Sequence, residues 1–585
     1  MKDLARATAS ATTEITEKIS TVSDETLEAI AAIEQISGTI ASINEIQHQI
    51  ASAVEEQTAP GGPMSVHDAS EYASEDLITA AALEEKAKLK KHFTQFDIFF
   101  FLICAIVGVD TLGQVAADGP QGFVWLIFLA VFFFIPYGLL IAELGSAFPE
   151  EGGPYVWSRM AWGRLTAGIN SIFFWFSNPV WIGATLALLC IASVQNYIFD
   201  FEDGSIWWWV IGLGYIWFSV WSAILSFGVG KWIPTLGAWC RMLLVLIFVL
   251  TTVMYGVQYG LHVPEASEWT PSWAAFIALV PVLFFNLVGF EQPSAAGDEM
   301  TNPQKDVPIA ISRGIVASIL LYGLPVLAIV FVLPPADIAG NGVSAFLDAV
   351  DTTFKVWGGA EPVMIRIAAI MFILAVVSSA SAWLMGSDRN QAIAAVDGTG
   401  PRWFGYFSNR YGTPITVNLV SGIISTLVFV VAYFIGQGDA ATAFNVTIGV
   451  VLIFTTLSYI LIFPTVIKLR KSHPHAPRPY RVPGGMAGVW IAGILTTGFA
   501  VLATVAGIFP GIFTNGMLLD DSALPDGVSR AYYTTLALGA IILTAIVGVW
   551  FYWLGRKTRS NLVVDPEVPT EFADETAGLH DYSQD

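Results

Sequence analysis

The 585-residue chain is poor in charge and in the residues that build soluble catalytic centres. Only 13% of its residues are charged, about half the share in an ordinary soluble domain, so a water-soluble enzyme is excluded. The three cysteines all lie in apolar runs and indicate neither a disulfide scaffold nor a zinc site. The seven histidines show no metal-ligand spacing, and neither a phosphate-binding glycine loop nor a Ser-His-Asp arrangement is supported. We therefore predict no catalytic residue, no metal and no cofactor.

What the sequence has instead is apolar and aromatic. Hydrophobic residues make up 55% of the chain, including 20 Trp and 39 Phe. From Phe96 onward, apolar runs of about 20 residues, long enough to cross a bilayer, alternate with polar breaks. We predict an all-α integral membrane protein with twelve spans, at residues 96–117, 122–147, 166–199, 206–227, 233–257, 273–298, 307–332, 362–386, 415–435, 443–467, 487–509 and 531–554.

The charges are unevenly placed along the chain. The net charge is −21, and the excess of acids lies at the two ends, which argues against nucleic acid as a partner. Lys and Arg concentrate in one set of alternate loops, and the opposite set holds only Lys355, Arg366 and Arg530. Because basic loops face the cytoplasm, we expect a multi-pass protein of the cytoplasmic membrane, in contact with its lipids, with both termini cytoplasmic.

The N-terminal segment differs from the rest. Between residues 15 and 54, apolar residues recur at steps of four and three, the heptad pattern of a coiled coil. Residues 1–59 resemble one signalling helix of methyl-accepting chemotaxis proteins, either as a fused fragment or as part of a chemosensory receptor, and they could self-associate. We predict a linker and cytoplasmic segment at 60–95, a transporter domain at 96–556 and an acidic disordered tail at 557–585.

Two of the predicted spans contain an internal interruption. Gly108-Val109-Asp110 interrupts the first span and Gly289-Phe290-Glu291 interrupts the sixth. A charge at mid-membrane costs about 2.5–3.5 kcal/mol on insertion scales, so each acid there needs a reason. Two broken helices five spans apart indicate an inverted-repeat transporter, in which freed backbone groups form a binding site near the midplane.

Three stretches carry a resemblance to a known family. They are Glu143 with the run Glu150 to Trp157, the stretch from Phe284 to Ile311, and Arg478 to Gly485. On these stretches, the chain from about Phe96 to Arg556 resembles the amino acid–polyamine–organocation (APC) transporter superfamily, nearest to its glutamate/GABA exchanger branch. The resemblance implies two inverted five-helix repeats, helices 1–5 and 6–10 with helices 1 and 6 broken, plus two peripheral helices.

The resemblance also implies the residues that bind substrate. Phe285 falls where arginine/agmatine exchangers have an aromatic gate, and Asp110 replaces a glycine of the family. A carboxylate at that position favours an ammonium group over a second carboxylate, unless Asp110 only caps backbone N–H groups. The predicted substrate-binding set is Val107, Gly108, Val109, Asp110, Thr111, Phe285, Asn286, Val288 and Gly289.

Four further residues are candidates for gating or ion coupling, besides Phe285. Glu291 either couples to protons or braces the broken helix. Ser378 and Ser379 either ligate sodium or bond between helices, the commoner role of membrane serines. Arg241 lies near the position where some proton-dependent relatives have a lysine in place of sodium; it either replaces a cation or is a snorkelling arginine at the helix end.

Together these features predict a secondary transporter. The predicted activity is alternating-access transport of an amino acid or related amine, by proton coupling or exchange. A polyamine transporter and a chemosensory receptor with a transporter-like sensor remain alternatives, and a channel or membrane enzyme is disfavoured.

Overall fold

Most of the described chain is helical. The computed structural model describes residues 76–225, 230–334, 345–435, 440–514 and 529–563. The predicted coiled coil at 1–59, the first part of the 60–95 segment and most of the predicted tail lie outside these residues.

The described ranges contain the helices α1 to α17. In chain order they are α1 (Ala80–Lys86), α2 (Gln95–Ile106), α3 (Leu112–Ala116), α4 (Pro120–Ala147), α5 (Gly153–Trp162), α6 (Arg164–Tyr197), α7 (Ile206–Ile224), α8 (Trp232–Tyr259), α9 (Trp273–Asn286), α10 (Pro303–Val332), α11 (Ala345–Phe354), α12 (Glu361–Ala394), α13 (Ile415–Ile435), α14 (Ala440–Ile462), α15 (Thr465–Ser472), α16 (Gly485–Ile508) and α17 (Arg530–Leu554). Short π-helical segments lie inside α4 and α6, and another follows α12 at Ala395–Thr399.

Ten helices in the described ranges are long and apolar enough to cross a membrane. Two further apolar helices, α2 and α9, are shorter, and they coincide with the two spans predicted to be interrupted. The predicted bounds of the long helices agree with the observed ones to within a few residues at most ends. The helical, membrane-spanning class is therefore confirmed, and the short α2 and α9 are explained by the breaks that follow them.

Local sequence sets where several helices begin. Serines cap α7, α9 and α17, where the side chains of Ser205, Ser272 and Ser529 accept a hydrogen bond from a backbone N–H of the first turn. Proline stands in the first turn of α4, α5, α10 and α12, where its missing N–H costs nothing. Gly163, with a φ of 81°, separates α5 from α6.

The eighth predicted span ends too early at residue 386. Helix α12 continues to Ala394 because its polar run from Ser387 to Gln391 is buried and bonded, not solvated. Asp388 accepts hydrogen bonds from the Trp175 indole and the Ser421 hydroxyl. A polar run that finds partners inside the protein does not mark the end of a membrane helix.

The long helices differ in how far the rest of the protein covers them. The most apolar window of α6 is 89% buried, whereas that of α17 is 17% buried. Helix α6 therefore lies at the centre of the bundle and α17 at its outside. Helices α10 and α12 pack against α2, and α12 also packs against α6 and α8.

The first and last described segments of the chain pair with each other. Strand β1 (Ile78–Thr79) pairs antiparallel with β2 (Leu562–Val563), and the Thr79 hydroxyl donates to the Val396 carbonyl at 2.6 Å. The predicted tail at 557–585 therefore begins too early, because residues up to Val563 are held by this pairing and by the Arg559 contact with Gly398.

Candidate substrate-binding site

The first break, residues 107–111, leaves the backbone at the end of α2 without helical partners. The hydroxyl of Tyr322 on α10 closes this gap, donating to the Ile106 carbonyl at 2.6 Å and accepting from the Gly108 N–H at 2.7 Å. The indole of Trp383 on α12 donates to the Ala105 carbonyl at 2.8 Å. Side chains of neighbouring helices thus replace the missing helical hydrogen bonds.

The second break, residues 287–292, follows the end of α9 at Asn286. Gly289 has a φ of 132°, a conformation that residues with side chains rarely adopt. A Cβ atom at Gly289 would lie 3.1–3.3 Å from atoms of Ala105 and Ile106, so the second break packs against the end of α2. The side chains of Thr111 and Asn286 also bond directly to each other.

Tyr137 of α4 serves the second break as Tyr322 serves the first. Its hydroxyl accepts from the N–H groups of Gly289 and Phe290 at 2.9 and 2.8 Å and donates to the Glu291 carboxylate. Glu291 is fully buried and also accepts from the Tyr459 hydroxyl at 2.6 Å. These contacts are those of a brace for the broken helix.

We expect Tyr137→Phe to be more destabilising than Tyr459→Phe, because it removes three hydrogen bonds at the second break and not one. Each buried group left without a partner costs about 1–3 kcal/mol. The free energy of unfolding of Tyr137→Phe should therefore fall by about 3 kcal/mol or more. Denaturant unfolding of both variants in detergent measures the difference; equal losses would contradict the bracing role.

A small cavity lies between the first break and the end of α9. It is lined by Ala105, Ile106, Gly108, Trp181, Phe285, Asn286, Tyr322 and Trp383. The space open to the centre of a water molecule is about 10 Å³, enough for roughly one water. Trp181 meets Phe285 edge-on at 5.5 Å between ring centroids and Trp383 at 6.2 Å, so aromatic rings close the cavity.

Asp110 stands at the edge of this cavity in the first break. Its side chain is buried, and its carboxylate accepts a hydrogen bond from the Trp181 indole at 3.3 Å. Among the described residues, no basic side chain forms an ion pair with it. The site thus holds a buried carboxylate beside aromatic rings, a combination that attracts a cation.

Asn286 brings an unused donor to the same cavity. Its side-chain oxygen accepts from Thr111, while its amide nitrogen finds no hydrogen-bond partner within the described parts of the chain. A buried polar atom without a partner is unfavourable unless a ligand completes it. Asn286 can therefore bind an acceptor oxygen on a ligand.

Arg241 is not the snorkelling arginine that one sequence interpretation allowed. It is fully buried, and its guanidinium donates to the Ile103 carbonyl at 2.6 Å, the Ala375 carbonyl at 2.7 Å and the Ser379 hydroxyl at 2.6 Å. The side chain turns inward because these oxygens, on α2 and α12, give its charge partners that lipid cannot give.

The predicted site residues divide into two groups. The structure brings Gly108, Phe285 and Asn286 to the cavity lining. Asp110 is hydrogen-bonded to the lining residue Trp181, and Thr111 is hydrogen-bonded to the lining residue Asn286. Val107, Val109, Val288 and Gly289 belong to the breaks without lining the cavity.

The candidates for coupling lie behind the cavity. Ser379 donates to the Cys104 carbonyl of α2 at 3.1 Å and so bonds between helices, whereas Ser378 donates to the Ala375 carbonyl of its own helix at 2.7 Å. With Arg241 and Glu291, these residues support the breaks from outside the cavity lining.

Sequence reasoning missed the aromatic residues with polar tips: Trp181, Tyr322 and Trp383 at the cavity and Tyr137 and Tyr459 behind the second break. Their only sequence signal is a polar-tipped aromatic ring inside a membrane span, which needs a hydrogen-bond partner when buried.

Comparison with known proteins settles the family. The profile of the amino acid permease family matches residues 93–518. The chain belongs to this family. The predicted membership in the APC superfamily is thereby confirmed. Because amino acid permeases are membrane transporters, the ten apolar helices are those of a multi-pass membrane protein.

Several permease relatives cover most of the chain. An uncharacterized transporter of Legionella pneumophila is 30% identical over 481 residues, which is 80% of this chain and 98% of that protein. A probable agmatine/putrescine antiporter of Lactococcus lactis is 29% identical over 459 residues, 78% of this chain and 94% of its own. A glutamate/gamma-aminobutyrate antiporter of the same species is 22% identical, covering 82% and 93%.

Proposed function

We propose that this permease exchanges a small amine-bearing solute across the cytoplasmic membrane by alternating access. The observation that carries the proposal is the buried carboxylate of Asp110, which has no basic partner among the described residues and lies beside the aromatic wall of the cavity. An ammonium group supplies the missing positive charge, and Trp181 and Trp383 line the same cavity with aromatic rings, whose faces attract cations. The agmatine/putrescine antiporter relative supports a cationic substrate.

A second candidate substrate is an amino acid whose ammonium group is distant from its carboxylate. The unpartnered amide nitrogen of Asn286 supports it, since that nitrogen can bind a carboxylate oxygen while Asp110 binds the ammonium. The glutamate/gamma-aminobutyrate antiporter relative supports this alternative.

The proposed architecture is twelve spans in two inverted five-helix repeats and two peripheral helices. The order of elements supports it, because each half begins with a broken helix, continues through a long and then a short helix, and reaches a third span of 34 residues, α6 or α12. The shallow burial of α17 supports its place outside the repeats. The basic loops support a cytoplasmic position for both termini.

Exchange in this architecture needs the cavity to open. At its present size it holds about one water molecule, so substrate enters only when the aromatic contact between Trp181 and Phe285 separates. Alternation of the two broken helices against α6 and α12 would provide that opening. We assign Phe285 to this gate.

We expect Phe285→Ala to slow exchange by about tenfold or more while Phe284→Ala mainly lowers stability. Phe285 meets the cavity, whereas Phe284 is fully buried against Phe133, with ring centroids 4.6 Å apart, and removing a buried ring costs about 3–5 kcal/mol. Counterflow in proteoliposomes and thermal unfolding separate the two effects. Wild-type exchange by Phe285→Ala would remove the gate assignment.

The proposed function itself is tested by ligand-induced stabilisation followed by counterflow. Binding to the folded state raises its unfolding temperature, so the purified full-length protein is screened with putrescine, agmatine, 4-aminobutyrate and glutamate. We expect stabilisation by putrescine, agmatine or 4-aminobutyrate, whose ammonium groups are not attached beside a carboxylate, and counterflow of the same compounds. Stabilisation by none of the amines, with no counterflow, would refute the proposal.

A further inference from the structure

Six charged side chains are packed together where the basic loops meet the helices. Two acids, Glu150 and Glu151, lie in the connection between α4 and α5, and two more, Asp298 and Glu299, lie in the turn after the second break. The two cations are Lys86 of α1 and Arg389 of α12. We call these six residues the charged cluster; each side chain is 11% exposed or less.

The ion pairs of the cluster are unequal. Arg389 Nε lies 2.7 Å from Glu299 Oε1 but 3.5 Å from Glu151 Oε1, so two acids share one guanidinium. Lys86 Nζ lies 3.4 Å from Asp298 and 4.0 Å from Glu150. Within the described residues, the cluster thus contains four acids and two cations in a region with little access to water.

Glu151 is the member with the poorest surroundings for a negative charge. It is fully buried, and neither of its carboxyl oxygens accepts a hydrogen bond from any described residue. Burial of a carboxylate without hydrogen-bond donors is strongly unfavourable. Burial and the neighbouring charge of Glu299 raise the pKa of the Glu151 carboxyl well above its usual range, against the opposing effects of Arg389 and Lys86.

Arg389 of the cluster lies on α12 between the cavity and the basic loop that follows this helix. Along α12, Trp383 lines the cavity, Gly386 follows one turn later, and Arg389 comes next. A Cβ atom at Gly386 would lie 2.0 Å from the Gln292 side-chain oxygen, so α12 and the second break are in close contact there. The Arg389–Glu299 ion pair continues this contact, and access from the basic-loop side requires that it separate.

Backbone hydrogen bonds tie Glu151 to the turn after the second break. Glu151 pairs with Ala296 in an antiparallel bridge, and the Gly152 N–H donates to the Ala295 carbonyl at 2.8 Å. Opening between α12 and the turn after the second break therefore separates Arg389 from both Glu151 and Glu299 and lets water reach their carboxyl groups.

We propose that Glu151 binds a proton when this gate is closed and releases it when the gate opens toward the basic loops. The proposal rests on the proposed transport function for its purpose, but the proton site itself does not depend on which solute is carried. In the closed state, protonation of Glu151 removes one uncompensated negative charge, and Arg389 then pairs with Glu299 alone. In the open state, water solvates both carboxylates and the proton departs on the basic-loop side, which the proposed orientation makes cytoplasmic.

The direction of the pH effect follows from the difference between the two states. The closed state has the raised pKa and an open, hydrated Glu151 has an ordinary one, near 4.3. The proton therefore stabilises the closed gate fully below the ordinary value, and this stabilisation is lost as the pH rises through the raised value. Between the two values, the opening equilibrium changes by up to about tenfold per pH unit.

The direct test is infrared difference spectroscopy of the full-length protein in lipid, perfused at several pH values. We expect a protonated carboxylic-acid band that is absent from Glu151→Gln and retained in the matched variant Glu150→Gln. In Glu299→Gln, where Arg389 belongs to Glu151 alone, the band should shift to lower pH. A band unchanged in Glu151→Gln, or no titrating band in the wild type, would overturn the assignment.

A transport measurement then separates this site from the proposed function. Counterflow of putrescine and of 4-aminobutyrate is measured with equal pH inside and outside the vesicles. We expect Glu151→Gln to lose the pH dependence that the wild type and Glu150→Gln show; unchanged dependence in Glu151→Gln would overturn the gate role. If no amine is exchanged while the infrared band behaves as expected, the substrate proposal fails and the proton site stands.

Discussion

Replacement of Asp110 by asparagine is expected to weaken the binding of cationic amines by about tenfold to a hundredfold. A hydrogen bond to a charged partner contributes about 1.5–3 kcal/mol, and each 1.4 kcal/mol is a factor of ten in affinity. Asparagine has the same shape and still accepts from the Trp181 indole, so folding should be unaffected. The loss is therefore one of charge recognition.

The measurement is a titration of unfolding temperature with putrescine and with glutamate, on the wild type and the variant. Asp118→Asn is the control, since Asp118 is an exposed acid just beyond α3. We expect Asp110→Asn to lose binding of the diamine far more than of the amino acid, and Asp118→Asn to change neither. Equal losses for both compounds would show that Asp110 is a helix-end cap and does not select charge.

The second large effect is expected at Arg241. Truncation to alanine removes three hydrogen bonds from a fully buried guanidinium to Ile103, Ala375 and Ser379 and leaves a cavity between α2, α8 and α12. We expect the free energy of unfolding to fall by about 3 kcal/mol or more. Arg241→Lys keeps a positive charge with fewer hydrogen-bond donors. Its free energy of unfolding should lie between those of the wild type and Arg241→Ala.

We propose that Arg241 is a cation held by the protein, and we test this role by varying sodium in exchange and unfolding measurements. A guanidinium keeps its charge at all physiological pH values, so in the role that we propose Arg241 takes the place of a bound cation without carrying protons. We expect wild-type exchange to be unchanged in sodium-free buffer, and sodium to restore part of the stability of Arg241→Ala. A sodium requirement in the wild type, or full stability of Arg241→Ala, would contradict this role.

The two helix breaks were predictable because their sequence signal is local. Glycine followed two residues later by an acid, inside a run that otherwise reads as a membrane helix, has few explanations other than a lost turn of helix. The observed helix ends at Ile106 and Asn286, before Gly108 and Gly289, agree with that prediction. The apolar runs likewise predict the long helices, because lipid requires continuous hydrophobic length.

The partners of the breaks were not predictable, because they come from distant helices. Tyr137, Tyr322 and Trp383 are separated from the groups they bond by 152, 214 and 278 residues, and nothing in their own spans indicates which neighbour they face. The inward direction of Arg241 has the same cause. The end of α12 was misplaced because burial of its polar run depends on Trp175 and Ser421, which only the folded structure brings near.

The most direct test of the account is an experimental structure of the full-length protein in lipid with a bound amine, putrescine being the first to use. We expect irregular backbone at Gly108 and Gly289, and an ammonium nitrogen within hydrogen-bonding distance of the Asp110 carboxylate between Trp181 and Trp383. Continuous helices through both glycines, or an amine bound away from Asp110, would contradict it.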